Sequence, residues 1–121
     1  MIFPLRLATL SCTLCLIAGS VAARPAGDVD GKRLAAAASE PGEWFTGGRD
    51  ADGTYYSPLK DINDHNVKRL GFAWAADLGL PQRGQEATPL VIDGILYTSG
   101  TWGYVYALDA ATGRLLWKYD P

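Results

Sequence analysis

The sequence predicts an all-β chain, short antiparallel strands joined by tight turns, preceded by a few short helices. Three observations predict it. Two hairpin signals stand in the second half: Leu90 to Ile92 and Ile95 to Thr98 flank Asp93-Gly94, while Val105 to Leu108 and Leu115 to Tyr119 flank Asp109, Ala110, Ala111, Thr112 and Gly113. Composition agrees, with 14 Gly beside 4 Trp and 6 Tyr and 48% hydrophobic residues, the mix of aromatics and turn formers that many short strands require. Helical signals are confined to short runs before residue 72.

Met1 to Ala23 has the three parts of a secretory signal. Arg6 gives a weakly positive start, Leu7 to Val21 an apolar run, and Ser20-Val21-Ala22-Ala23 a small-residue cleavage site, cut most simply after Ala23. The run is short for a spanning helix and studded with Thr, Ser and Gly, so an uncleaved anchor is the lesser alternative. Cys12 and Cys15 both lie inside this leader without the small-residue pattern of a lipid-attachment site, and the mature segment has no Cys. Export to a bacterial-type periplasm is the expected address.

Residues 24–71 read as a linker, short helices and an ordered loop. The Ala run after Asp28-Val29-Asp30-Gly31 favours a short surface helix with an acidic start, stopped by Pro41-Gly42. From Glu43 to Leu59, glycines beside aromatics and paired Asp residues imply an ordered irregular loop. Asp50-Ala51-Asp52-Gly53 hints at calcium, but Thr54 and Tyr55 stand where an EF-hand loop needs an acidic ligand and Gly. Asp61 to Gly71 reads as one or two helical turns capped by Asn63 or Asp64, with Val67 and Leu70 on one face and Gly71 as stop. His65 has no second His and no Cys nearby, and reads as a surface residue rather than a metal ligand.

Residues 72–121 carry the strands. Phe72, Trp74, Ala76 and Leu78 alternate on one face, which predicts a strand. Pro89 suits the first position of the next, where no ladder donor is needed, and Glu86 sits just before it. In the last hairpin, Asp109 can accept from the amides and hydroxyl of its turn, Gly113 supplies a positive φ, Ala107 lets a neighbouring surface approach, and Trp117 carries an indole that the hairpin alone cannot bury.

The run Ala107-Leu108-Asp109-Ala110-Ala111-Thr112-Gly113-Arg114-Leu115-Leu116-Trp117 resembles the tryptophan-docking motif of the quinoprotein dehydrogenases, eight-bladed β-propellers in which each blade's Trp packs on its neighbour. Trp44 to Leu59, with its Gly48-Arg49-Asp50 and Tyr56-Ser57-Pro58-Leu59, is similar to the opening of the alcohol dehydrogenases of that family. A four-stranded blade takes about 40 to 50 residues and a ring at least about four blades, so 121 residues are too few to close one. The resemblance implies an incomplete β-propeller, first blade plus N-terminal clasp strand, read as the N-terminal part of a larger protein. Phe72 to Leu78 would be the clasp, a strand given to the last blade.

Gly84-Gln85-Glu86-Ala87-Thr88-Pro89 matches the family element that places its Glu beside pyrroloquinoline quinone (PQQ), and that cofactor-binding role is carried onto Glu86 alone. The resemblance further implies an oxidoreductase passing a hydride from an alcohol substrate to PQQ with calcium, a carboxylate base, and cytochrome c or a membrane quinone as electron acceptor. Haem c is compatible with it. Calcium ligands, base and vicinal cysteines would all lie beyond Pro121, so the catalytic and metal sets visible here are empty, and an isolated copy should be inactive and poorly soluble. The competing reading is a non-catalytic propeller used as a binding or outer-membrane assembly scaffold, which shares the Trp motif but not the Glu86 element. Tyr97, Trp102, Tyr104 and Tyr106 read as packing aromatics, with Trp102-Gly103 in the loop between second and third blade strands. A net charge of −2 with mixed signs supplies no basic field, so no nucleic acid partner is expected.

Overall fold

A computed structural model describes residues 25–79 and 85–121 of the chain. The expected leader, Met1 to Ala23, lies outside the described residues. The Ala run begins as expected: Asp30 Oδ1 accepts from the Arg33 amide at 2.7 Å and caps the five-residue helix α1, Gly31–Ala35. A 3-10 turn, Ala37–Ser39, follows before Pro41 and Gly42.

The sheet has four strands, β1 Leu90–Ile92, β2 Ile95–Ser99, β3 Val105–Asp109 and β4 Leu115–Tyr119, paired antiparallel in chain order. Both expected hairpins are present. Asp93 and Gly94 take φ of 53° and 75°, the two positive values of a type I′ turn, whose twist suits the flanking strands. At the second hairpin Asp109 Oδ1 accepts from the amides of Ala111 at 3.1 Å and Thr112 at 2.9 Å and from the Thr112 hydroxyl at 2.8 Å, and Gly113 has a φ of 74°. The loop between β2 and β3 holds Trp102, as expected, but the residue is 73% exposed rather than packed within the described residues.

Register assigns the faces. Leu90, Tyr97, Ala107 and Trp117 stand in one row, and alternation puts Leu96, Thr98, Tyr106 and Leu108 on the opposite face. On the first face the N-terminal segment packs over β1 and β2, where Ala37, Phe45 and Ile92 are buried among Val29, Leu34, Leu90 and Tyr97. Trp44 also exchanges two backbone hydrogen bonds with Val91, 2.8 and 3.1 Å, and so occupies the outer edge of β1. The loop after it is ordered, as its composition implied: the Tyr55 amide donates to Gly48 O at 2.9 Å, and a Cβ on Gly48 would lie 3.1 Å from the Gly53 carbonyl carbon.

Two segments depart from regular structure. Phe72 to Leu78 forms no strand; Trp74 and Leu78 are half-buried, Phe72 is 99% exposed, and the segment reaches the sheet through side chains and the Leu78 carbonyl. A strand exists only where a partner supplies the other half of the ladder, and no strand among the described residues runs beside this segment. From Asp61 to Gly71 the expected one to two turns are short: a turn opens at Asn63, whose carbonyl accepts from the Val67 amide at 2.8 Å, and a 3-10 turn, Val67–Arg69, follows. Asn63 Oδ1 accepts from the His65 amide at 3.0 Å and Asn66 Oδ1 from the Asn63 amide at 2.9 Å, reciprocal capping bonds at the expected Asn63, while exposed Val67 and Leu70 bury no face that would extend the helix.

Candidate cofactor-binding site

Glu86 lies four residues ahead of β1, on the irregular segment that leads through Pro89 into that strand. Its carboxylate is exposed and takes part in no hydrogen bond or ion pair among the described residues. The backbone beneath it is nonetheless tied down. Gln85 Nε2 donates to Thr98 Oγ1 at 2.7 Å and to Ser99 O at 2.8 Å, which staples the segment to the end of β2. An uncommitted carboxylate on an anchored backbone can accept from a ligand's N–H or O–H, or hold a cation.

A second cluster sits at the other end of β1. Arg33, 7% exposed, donates from Nη2 to Asp93 Oδ1 and Glu40 Oε2, both at 2.7 Å, from Nη1 to Asp93 Oδ2 and Asp28 O, both at 3.0 Å, and from Nε to Glu40. These bonds, Asp93's first and then Glu40's, push its already high pKa further up. Asp93 Oδ2 also accepts from the Gly27 amide at 2.9 Å, and Glu43 Oε2 from the Asp93 amide at 2.8 Å. Glu40, Glu43 and Asp93 come close enough to share a cation, but Arg33 already supplies the positive charge. From the residues alone the Ala-rich helix is a plain surface helix and Asp93 a turn residue; the pairing spans 60 residues, and Lys32-Arg33 ahead of the alanines does not point to it.

Asp50 Oδ2 accepts from the Thr54 hydroxyl at 2.7 Å and Oδ1 from its amide at 3.0 Å, bonds that lower the Asp50 pKa and commit the carboxylate to its own loop. His65 is exposed beside Asp64. The aromatics pack: Tyr97 and Trp117 ring centroids are 6.0 Å apart, Tyr106 is buried, and Lys118 Nζ lies 4.0 Å from the Tyr104 ring centre.

Residues 44–121 match the family model described as PQQ, glucose/ethanol/alcohol dehydrogenase, beta-propeller domain. Among similar proteins, the quinohemoprotein alcohol dehydrogenase ADH-IIG of Pseudomonas putida is 57% identical over 94 residues, 78% of this chain and 13% of that protein. The 1-butanol dehydrogenase (cytochrome c) of Thauera butanivorans is 51% identical over 80 residues, 66% of this chain and 11% of that protein. The solved structure of the P. putida enzyme superposes with a TM-score of 0.78 at 56% identity, covering 82% of this chain and 14% of that one. That of the Comamonas testosteroni quinohemoprotein alcohol dehydrogenase gives 0.70 at 50%, covering 77% and 14%. The chain thus spans a small part of the length of these relatives, and four antiparallel strands of this order are one blade's worth of a propeller. With well over half of its residues inside the family model and most of the chain superposing on solved members, the chain belongs to the PQQ-type glucose/ethanol/alcohol dehydrogenase β-propeller family.

Proposed function

We propose that these residues open an exported quinoprotein alcohol dehydrogenase, in which Glu86 contacts PQQ. One observation carries the reading: the element Gly84-Gln85-Glu86-Ala87-Thr88-Pro89 leads into β1 with an uncommitted carboxylate on a backbone fastened to β2. The first strand of a propeller blade runs nearest the ring axis, where ligands bind, so a group at its head faces the axial cavity. A lone acceptor suits a polar quinone that bears N–H and carboxyl groups or a cation held beside it. When bound, the quinone supplies a two-electron acceptor for the hydride that leaves the carbinol carbon. Glu86's part is to hold and orient it, not to move the proton. Calcium, a base for the hydroxyl proton, and haem c belong on this reading to parts of the protein beyond these residues. Electrons leave to cytochrome c or a membrane quinone, a choice for which the name of the T. butanivorans relative favours cytochrome c.

The test uses the full-length protein expressed from its own reading frame, loaded with PQQ and calcium chloride. Alcohol-dependent dye reduction is expected, and E86Q is expected to weaken PQQ binding about tenfold, the loss of one charge-assisted hydrogen bond. A full-length protein that binds no PQQ overturns the proposal. Fractionation should recover it from the periplasm with Arg24 as first residue.

A further inference from the structure

An exposed glutamine ordinarily leaves its amide to water. Gln85 does not: both hydrogens of Nε2 are spent, one on the Thr98 hydroxyl at 2.7 Å and one on the Ser99 carbonyl at 2.8 Å. Thr98 is 7% exposed, so its Oγ1 depends on a protein partner rather than solvent. Both acceptors belong to β2, a strand held on both sides by β1 and β3, while the donor belongs to the irregular segment before Pro89. The two bonds close loops of 13 and 14 residues and give that segment its fixed point on the sheet. The next residue is Glu86. Its carboxylate has no partner of its own among the described residues, so its position is set by the backbone that Gln85 holds.

We propose that Gln85 is a positioning residue for the cofactor: by bridging Thr98 Oγ1 and Ser99 O it fixes the peptide that aims the Glu86 carboxylate at PQQ. The inference rests on the reading of Glu86 given above. A ligand contact made by a mobile carboxylate loses affinity to the ordering it requires, and a side chain that orders it beforehand restores that affinity without touching the ligand.

The experiment measures PQQ affinity in the full-length protein with calcium chloride by fluorescence quenching, together with the induced circular dichroism of the bound quinone; neither depends on turnover. Q85L is expected to weaken PQQ binding about tenfold and to alter the dichroism, with the melting temperature of the apoprotein lowered by no more than a few degrees, the cost of leaving the Thr98 hydroxyl without its partner. T98S, which keeps the hydroxyl, is expected to bind as the parent does, and T98V to weaken binding in the direction of Q85L. In an E86Q background Q85L is expected to cost less than about twofold, because the group it positions has already been removed. Equal losses from Q85L in both backgrounds, or parental binding by Q85L while E86Q binds weakly, overturn the positioning role alone. Parental binding by E86Q overturns the reading of Glu86, and this inference with it.

Discussion

The Trp74 indole lies directly on Gly113: a Cβ built on that glycine would stand 2.6 Å from the Trp74 Cδ2 atom. The Trp74 Nε1–H donates to Ala110 O at 3.0 Å, so ring and donor both engage the turn between β3 and β4. The Tyr106 hydroxyl adds a bond to Leu78 O at 3.1 Å. The segment expected to clasp the ring thus also meets its own blade through an indole, a glycine and two side-chain hydrogen bonds.

G113A should be poorly tolerated. It places a methyl group where the indole sits and forces alanine to a φ of 74°, a backbone cost of about 1–2 kcal/mol before any clash. W74F keeps most of the ring contact and gives up one hydrogen bond, worth about 1 kcal/mol. The ranking, G113A well below W74F and W74F slightly below the parent, can be read from thermal unfolding of the full-length protein.

Ala107 has 0% of its surface exposed and stands opposite Trp117 in the register. A107L adds carbons where there is no room and should cost about 1–3 kcal/mol, seen as a lower denaturant midpoint with an unchanged slope. A107G, which only empties the space of a methyl group, should fold and bind PQQ.

The Asp109 pKa is held below its ordinary value, first by the Thr112 hydroxyl, then by the Thr112 and Ala111 amides and the charge of Arg114. A depressed folded value means that the unfolded chain takes up the proton first. The stabilisation is thus complete above the ordinary Asp value of about 3.9 and fades as pH falls through the lower folded value. D109N, which lacks a titrating group, should show a flatter loss of melting temperature between roughly pH 5 and pH 3 than the parent.

At the Arg33 cluster, D93N should separate charge from turn geometry. Asparagine accepts the left-handed φ of 53° that Asp93 adopts, so the hairpin survives while Arg33 loses one of its two carboxylates. The expected result is a melting temperature lower by several degrees and faster proteolysis within residues 25–40. R33K should behave similarly, since an ammonium cannot reproduce a fork that reaches Asp93 and Glu40 together.

Residues 24–121 expressed alone should associate rather than stay monomeric, and should not reduce dye with added PQQ and calcium. All five residues of β4 are exposed, its outer edge has no partner among the described residues, and Trp117 is 46% exposed. An edge of that kind recruits other strands. Size-exclusion chromatography at increasing concentration reads the association; a monomeric, dye-reducing sample would contradict it.

Local chemistry made both hairpins legible. Asp93-Gly94 and the Asp109 to Gly113 turn close over a few residues, and their φ values and bonds follow from the residue types alone. Glu86 was legible as a candidate because a contiguous motif carried it. Its anchor was not, since Gln85 finds Thr98 and Ser99 only after the strand between them has folded back. The alternation of Phe72, Trp74, Ala76 and Leu78 marked two side chains that face the sheet, while the ladder it implies needs a last-blade strand that these residues do not include.

Residue order alone thus specified the turns and the strands that flank them, through interactions within a few residues, and marked one carboxylate as a candidate. Folding in three dimensions decided that Trp74 rests on Gly113, that Arg33 joins Asp93 to Glu40, and that Gln85 braces the peptide of Glu86. Each of these joins residues far apart in the chain, and such contacts exist only once the sheet has brought its faces and edges within bonding distance.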